Sequence, residues 1–341
     1  MMNGREIIAR VLEHRDPPRI GYDFTGPGPS DMRGDFGMYT AIRNMDTEYG
    51  EWGRYPELLA KVEDFAGEVC MRDGSVYGRL NKKTNGECVR AALEDGWGGY
   101  EEFFEKYLKP YGERGNYDLK GMADGVDGEK FNVFAVMSLQ SGARDARRID
   151  NMLADTILEA DSLRRFVDDC ADIAIKQIEM LQPCGADAVM MLDDWGLQHS
   201  LYISPESWRA IWREPYARVI DRLHDLGMKY LLHSCGNVSP IVDDFVEIGL
   251  DAFQFDQPAL YDFEKLRNSI RGKASLWSPV DIQKVLPTGD RELIQAEAAR
   301  MVETFHDGGG FIAKDYPSYS DIGVSEEWAQ YARDAFTGYK Y

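Results

Sequence analysis

From residue 131 onward, the chain alternates short apolar runs with longer stretches whose apolar residues recur at helical spacing. Each short run is apolar on both faces, which is typical of a strand in a parallel sheet covered by helices. The predicted strands are residues 131–137, 187–192, 229–233, 252–255, 274–277 and 310–313, with an earlier strand at 19–24. The predicted helices are residues 5–14, 100–108, 162–182, 205–226, 238–248, 261–270 and 291–306. This order indicates an α/β fold with a mostly parallel sheet.

A doubly wound open sheet and a closed eight-stranded barrel both fit this alternation. Polar or reactive residues follow most of the predicted strands, namely Asp23, Asp193, Asp194, His233, Cys235, Asp256, Gln257, Asp281, Lys314 and Asp315. A barrel gathers the carboxyl ends of all its strands into one mouth, whereas an open sheet spreads them along an edge. We therefore predict a (β/α)8 TIM barrel, formed by a single domain over residues 1–341. Residues 38–128 are irregular, aromatic and Gly-rich, and we expect an elaborated N-terminal insertion there.

Charge and composition exclude several classes of partner. The formal net charge is -20 over 341 residues, which argues against nucleic acids and anionic membranes, because both are bound through clustered Lys and Arg. The sequence contains no apolar stretch of the roughly 20 residues that cross a bilayer, and charged residues occupy the N-terminal region. Five scattered cysteines without a Cys-x-x-Cys pair fit free thiols in a reducing compartment. We expect a soluble, cytoplasmic protein.

The sequence His233-Ser234-Cys235-Gly236 ends one of the predicted strands. Residues two apart on a strand point to the same side, so the imidazole and the thiol would project together. Such a pair supplies half of a tetrahedral zinc site. The alternative is that both side chains simply pack at the strand end, as free cysteines often do. Gly236 lets the backbone turn sharply and approach a ligand, which favours a functional loop.

Two neighbouring carboxylates, Asp193 and Asp194, follow another strand end. They could act as a proton donor and acceptor if crowding raises the pKa of one of them. Alternatively, one of them caps the backbone of the next helix. We predict that Asp194 and His233 are catalytic. The candidate substrate-binding residues are Tyr22, Asp23, Asp193, Trp195, His199, Gln254, Asp256, Trp277, Asp281, Lys314 and Tyr316. The aromatic members would wall a pocket that excludes water.

Six motifs in order along the chain carry a family resemblance. They are Asp-Asp-Trp-Gly at 193–196, Ile-Ser-Pro-Glu-Ser-Trp at 203–208, His-Ser-Cys-Gly-Asn at 233–237, Ile-Gly-Leu-Asp-Ala at 248–252, Val-Asp-Ile-Gln at 280–283 and Gly-Gly-Gly-Phe-Ile at 308–312. Together they resemble the uroporphyrinogen decarboxylase superfamily, and the resemblance covers nearly the whole chain. True uroporphyrinogen decarboxylases carry arginines after the first strand to bind the substrate's carboxylates. Here residues 23–28 read Asp-Phe-Thr-Gly-Pro-Gly, without arginine.

The chain is more similar to the branch of methyltransferases that exchange a methyl group with a corrinoid protein, as in methanogenesis. In the members with a thiol acceptor, a zinc ion held by His-x-Cys and a later Cys activates the acceptor. His233 and Cys235 match the first two ligands, but residues 313–318 contain neither cysteine nor histidine. The third ligand therefore does not carry over from the resemblance. Asp315 could supply an oxygen ligand in its place, or Asp194 could do so from another loop.

The resemblance implies a methyltransferase that moves a methyl group between a corrinoid protein, or a small methylated substrate, and a thiol or other acceptor. Its cofactors would be zinc and a corrinoid carried by a partner protein, and the enzyme would be a monomer or homodimer. Two alternatives stay open at this point. One is cofactor-free decarboxylation of the uroporphyrinogen decarboxylase type. The other is a metal-free binding or accessory protein on the same scaffold.

Overall fold

The computed structural model describes residues 2–25, 28–35, 67–70, 73–79 and 87–340. In chain order the strands are β1 (Gly21–Asp23), β2 (Met32–Asp35), β3 (Gly67–Cys70), β4 (Val76–Arg79), β5 (Glu87–Arg90), β6 (Phe131–Ala135), β7 (Ala188–Leu192), β8 (Lys229–His233), β9 (Ala252–Gln254), β10 (Ser275–Ser278) and β11 (Phe311–Lys314). Eight of them form one sheet in the order β1, β11, β10, β9, β8, β7, β6, β2, and every neighbouring pair is parallel.

The two end strands of this sheet, β1 and β2, lie beside each other. The amide of Asp31, just before β2, donates to the carbonyl of Tyr22 in β1 at 2.8 Å, and Asp23 forms an isolated bridge with Ser30. The sheet is thus nearly closed, which confirms the predicted (β/α)8 TIM barrel. β2 was not predicted from the sequence, because Met-Arg-Gly-Asp has a glycine and two charges in place of a buried apolar run.

Twelve helices occur within the described residues. They are α1 (Gly4–Leu12), α2 (Tyr100–Phe103), α3 (Leu119–Gly125), α4 (Leu139–Arg147), α5 (Ile149–Leu158), α6 (Ala160–Leu181), α7 (Pro205–Ile211), α8 (Arg213–Asp225), α9 (Ser239–Glu247), α10 (Phe263–Ile270), α11 (Arg291–Phe305) and α12 (Glu326–Thr337). The single helix predicted over 205–226 is two helices, α7 and α8. Pro215 explains the break, because its nitrogen has no hydrogen to donate to the carbonyl of Ile211.

Helix α1 covers the floor of the barrel. Its apolar face, Ile7, Ile8, Val11 and Leu12, is buried in one cluster with inward-facing strand residues such as Leu231. Two contacts place it at the amino ends of the strands. Arg5 pairs with Asp187 ahead of β7 at 2.7 Å, and the amide of Gly310 ahead of β11 donates to the carbonyl of Val11 at 3.0 Å. The carboxyl ends therefore form the opposite rim, the mouth.

The expected insertion at 38–128 lies partly outside the described residues. Its described part includes a three-stranded antiparallel sheet, β3, β4 and β5, together with α2 and α3. Within the described residues, no helix is both long enough and apolar enough to cross a membrane.

Candidate metal centre

Three potential ligands of different chemistry meet at the barrel mouth. His233 ends β8, Cys235 lies in the loop after it, and Asp194 lies in the loop after the neighbouring strand β7. Their ligand atoms all lie within 4.8 Å of one another. His233 Nε2 is 3.6 Å from Cys235 Sγ and 3.5 Å from Asp194 Oδ1. The Asp194 and His233 side chains are 34% and 14% exposed, so the cluster is reachable from solvent.

These separations fit a tetrahedral zinc ion. With the usual Zn–N, Zn–O and Zn–S bond lengths, the edges of the tetrahedron are about 3.4–3.6 Å. The two measured distances from His233 Nε2 agree with this range. Imidazole, thiolate and carboxylate are all ordinary zinc ligands, and three protein ligands are typical of catalytic zinc, whose fourth position takes water or substrate. The three residues therefore fit the metal that the resemblance implies.

The loops that carry these ligands touch through their backbones. The amide of Gly196 donates to the carbonyl of Cys235 at 3.1 Å, and the amide of Asn237 donates to that of Leu197 at 2.7 Å. A Cβ on Gly196 or on Gly236 would overlap the other loop's backbone, and Gly236 has φ +75°. Both glycines are therefore required where the two loops cross. This contact, together with the Cys235 amide that donates to Asp194 Oδ1 at 2.8 Å, fixes Asp194 beside the thiol.

The environment of Cys235 strongly favours the neutral thiol when no cation is present. Burial, followed by the nearby carboxylates of Asp194 and Asp256, raises the pKa of Cys235 to about 12. A metal ion reverses this preference, because a coordinating thiol is deprotonated.

The second nitrogen of His233 belongs to a chain of polar side chains across the mouth. His233 Nδ1 lies 2.5 Å from Gln254 Oε1, and Gln254 Nε2 donates to Asp256 Oδ1 at 2.8 Å. Lys314 Nζ donates to the same Asp256 oxygen at 3.1 Å and lies 5.6 Å from the centre of the Trp277 ring. Four predicted substrate-binding residues, Gln254, Asp256, Trp277 and Lys314, are thus neighbours beside the metal-ligand cluster.

Asp193 is fully buried. Its carboxylate accepts from the amides of Leu139 and Ser141 at 3.1 and 2.8 Å, and from the Tyr216 hydroxyl at 2.5 Å. It therefore caps the first turn of α4, a helix that precedes β7, and not the next helix as the cap alternative expected. Burial raises the pKa of Asp193, and these three hydrogen bonds oppose the rise.

Two further predicted site residues are enclosed by packing or turns. Trp195 is fully buried, with its ring edge-on to Trp212 at 4.8 Å. The Asp281 carboxylate accepts from the amides of Ala259, Gln283 and Lys284. The structure thus places Trp195 in the outer core and Asp281 in a loop-organising position.

Asp315 is held away from the three clustered ligand atoms by an ion pair. Both of its oxygens lie 3.0 Å from Arg333 Nε, and it also accepts from the Tyr319 hydroxyl and the Thr25 amide. Of the two oxygen ligands left open by the sequence analysis, Asp194 is therefore the one beside His233 and Cys235.

The remaining predicted residues surround the first strand or the rim. Asp23 ends β1, and burial raises its pKa while Lys314 opposes the rise. Tyr22 is buried and stacks on Phe24 at 5.4 Å. Tyr316 is partly buried after β11, and His199 is exposed in the loop after β7.

Two residues that interact electrostatically with the cluster were not predicted from the sequence. Burial raises the pKa of Tyr202, and Asp194 and Cys235 raise it further. Although burial opposes it, the carboxylates of Asp145, Asp194 and Asp193 raise the pKa of Arg144 on α4. Neither residue directly follows a predicted strand, so the pattern of polar residues after strands does not include them.

Among solved structures, the chain is similar to a methyltransferase from Methanosarcina mazei, with a TM-score of 0.67, 16% identity and coverage of 99% of both chains. A Gloeophyllum trabeum endo-β-1,4-xylanase has a TM-score of 0.42, 10% identity and coverage of 67% of this chain and 83% of its own. A D-psicose 3-epimerase has a TM-score of 0.40, 12% identity and coverage of 65% of this chain and 83% of its own. No curated protein matches the chain.

The family model for uroporphyrinogen decarboxylase (URO-D) matches residues 133–314, from β6 to the end of β11. This segment is more than half of the 341-residue chain and contains all three clustered ligands. The protein therefore belongs to the uroporphyrinogen decarboxylase family.

Proposed function

We propose that this protein is a methyltransferase that moves a methyl group between a corrinoid protein, or a small methylated substrate, and a thiol or other acceptor. The observation that carries the proposal is the cluster of Asp194, His233 and Cys235, in which both separations from His233 Nε2 match the edges of a tetrahedral zinc site. The likeness to a methyltransferase along the full chain supports the same activity.

In this proposal His233 and Cys235 bind the metal, and Asp194 takes the place of the cysteine that is missing after β11. Zinc in such a site would keep an acceptor thiol deprotonated near neutral pH, and the thiolate is the competent methyl acceptor. The chain's own residues hold the ligands in place: the Cys235 amide fixes Asp194, and Gln254 contacts the remaining nitrogen of His233.

The loop after β1 argues against a porphyrinogen substrate. That substrate carries eight carboxylates, whereas residues 23–28 supply no arginine and the net charge of the chain is -20. Burying carboxylates without counter-charges is costly. The partners that we propose are therefore a small methyl donor or acceptor and a corrinoid protein, with the enzyme as a monomer or homodimer.

The first prediction is the metal content of protein purified without a metal-affinity tag. Elemental analysis should find about one zinc per chain in the parent, because three ligands are in place. The double variant His233→Ala/Cys235→Ala should lose the zinc. A matched double variant, His224→Ala/Cys184→Ala, removes the same residue types away from the mouth and should retain it.

A zinc-loaded parent should then demethylate methylcobalamin in the presence of a thiol acceptor. The change in corrinoid absorbance measures this reaction. Absence of metal from the parent would refute the zinc-thiolate mechanism and favour a metal-free decarboxylase or a binding protein. Zinc without methyl transfer to any acceptor would contradict the methyltransferase proposal alone.

A further inference from the structure

We propose that Gln254, held by Asp256 and Lys314, is a positioning residue that fixes the tautomer of His233. In this arrangement Nδ1 carries the hydrogen and Nε2 keeps a free lone pair directed at Cys235 and Asp194. The link to metal binding rests on the proposed function above, whereas the tautomer itself can be measured without any metal.

The barrel register brings these residues together. His233 and Gln254 are paired positions on the adjacent parallel strands β8 and β9, and Gln254 is paired in turn with Trp277 on β10. Paired residues of neighbouring strands point to the same side of a sheet, so the imidazole and the amide meet side by side. Lys314 reaches the same place from the end of β11.

The donors and acceptors allow one assignment of the hydrogens. The Lys314 ammonium can only donate, and an ionised Asp256 can only accept. The Gln254 atom that lies 2.8 Å from Asp256 must therefore be the amide nitrogen, which turns the amide oxygen toward His233. An amide oxygen can only accept, so His233 Nδ1 is the donor. The sequence of hydrogen bonds from Lys314 to His233 therefore determines both the orientation of the Gln254 amide and the tautomer of His233.

The ion pair of Lys314 and Asp256, next to Gln254, is buried well enough to hold this amide orientation. Lys314 and Asp256 are each 7% exposed, and their ion pair is shielded on one side by the Trp277 ring. A flipped Gln254 amide would set its oxygen against the Asp256 carboxylate. Two buried acceptors would then face each other without a hydrogen between them, which is costly.

The hydrogen bond at Nδ1 determines the state of Nε2, on the other side of the His233 imidazole ring. A neutral histidine binds a metal through its bare nitrogen, and the hydrogen bond at the protonated nitrogen selects which one is bare. Here the bare nitrogen is Nε2, the atom 3.6 Å from Cys235 Sγ and 3.5 Å from Asp194 Oδ1. Gln254 thus prepares His233 as a ligand before a metal arrives.

The test is long-range 1H–15N NMR of full-length protein labelled with 15N-histidine, stripped of metal and held at about pH 8.5, where an ordinary imidazole is neutral. The chain has only five histidines, and a His233→Ala variant assigns the signal. The parent should show His233 protonated at Nδ1. Gln254→Leu, which offers no acceptor, should shift His233 toward the Nε2-protonated form. Gln254→Glu combined with Asp256→Asn keeps an acceptor for Nδ1 without setting two carboxylates against each other, and should retain the parent tautomer.

The other four histidines report whether each variant is folded. A parent His233 protonated at Nε2, or an unchanged tautomer in a folded Gln254→Leu variant, would overturn the inference. The parent spectrum decides the tautomer even if Gln254→Leu does not fold. Competition with a chelator should also show zinc bound about 10–100-fold more weakly by Gln254→Leu. A parent with the expected tautomer but no zinc binding would contradict the proposed function and leave the role of Gln254 in setting the tautomer intact.

Discussion

Cys235 connects the chemistry of a single thiol with the pH at which the site can bind a metal. Its pKa of about 12 means that the thiol, not the thiolate, is present near neutral pH in the metal-free protein. Zinc binds the thiolate, so binding must release this proton. Each unit of pH rise below that pKa increases the thiolate fraction tenfold. The affinity for zinc should therefore rise with pH.

We expect the zinc association constant to increase about tenfold per pH unit between about pH 7 and 9, because one proton is released from Cys235 for each zinc bound. Chelator competition at three pH values measures the slope. The Cys235→Ala variant, which has no proton to release, should bind weakly with a much flatter pH dependence. A flat profile in the parent would show that Cys235 is not a ligand.

Two of the proposed metal ligands, His233 and Cys235, could be proposed from the sequence because their two-residue spacing on a strand carries the signal. The oxygen ligand was not, since Asp194 and Asp315 both follow strands. A contact between distant parts of the chain distinguishes the two aspartates, because Arg333 on α12 forms an ion pair with Asp315. The cap alternative for Asp193 expected the next helix, and the helix that it does cap was not predictable, because its partners Leu139 and Tyr216 come from elements distant in the chain.

The crossing of the loops after β7 and β8 sets the position of the metal ligands. Gly236→Ala should disrupt it, because the new Cβ would overlap the Gly196 backbone and the residue has φ +75°. The matched control is Gly227→Ala, which has φ +72° and no heavy atom within 4 Å of the new Cβ. The control should lower the free energy of unfolding by about 1 kcal/mol through backbone strain alone.

We expect Gly236→Ala to lower the free energy of unfolding by a further ~1–3 kcal/mol and to lose zinc, because Cys235 must move. Urea unfolding and elemental analysis measure the two effects. Equal destabilisation by both variants, with zinc retained, would show that the loop crossing tolerates a methyl group.

Most elements from β6 to β11 were predictable because their periodicity is local. The boundary of β8 agrees with the expected residues 229–233, and the other strands differ by a few residues at their ends. The failures have local causes as well. β2 lacks an apolar run, and Pro215 divides a helix whose apolar pattern continues across the break.

At the scale of the whole molecule, the pair of Asp315 and Arg333 ties the C-terminal helix α12 to the strand β11 and to the loop after β1. Both side chains are at most 3% exposed. Arg333→Met should lower the free energy of unfolding by about 3–5 kcal/mol at neutral pH, because it leaves a buried carboxylate without its counter-charge. Urea denaturation checks this value.

The double variant Arg333→Met/Asp315→Asn removes both charges and should recover part of the loss. A loss below about 1 kcal/mol in the single variant, the range of a surface ion pair, would mean that the pair does not hold the barrel closed.

Periodicity could not distinguish an open sheet from a barrel, because both repeat the same unit. Closure depends on β1 and β2, which are only eight residues apart in the chain and contact each other across the seam. The scatter of polar residues after the strands favoured the barrel for a physical reason, since only closure brings them to one mouth. We propose that the whole chain is one such domain, with the region of β3 to β5 as an insertion between β2 and β6.

Helix α1 closes one end of the barrel, so the interior opens only at the carboxyl ends of the strands. A reactant that reaches the centre from the carboxyl ends of the strands has to leave in the same direction, because Ile7, Ile8, Val11 and Leu12 occupy the other end. A bulky protein-borne methyl donor seated over the rim would therefore block a small acceptor from entering. The proposed reaction should therefore follow an ordered binding mechanism. The small molecule binds first and the macromolecule docks second. The methylated product leaves only after the macromolecule has dissociated.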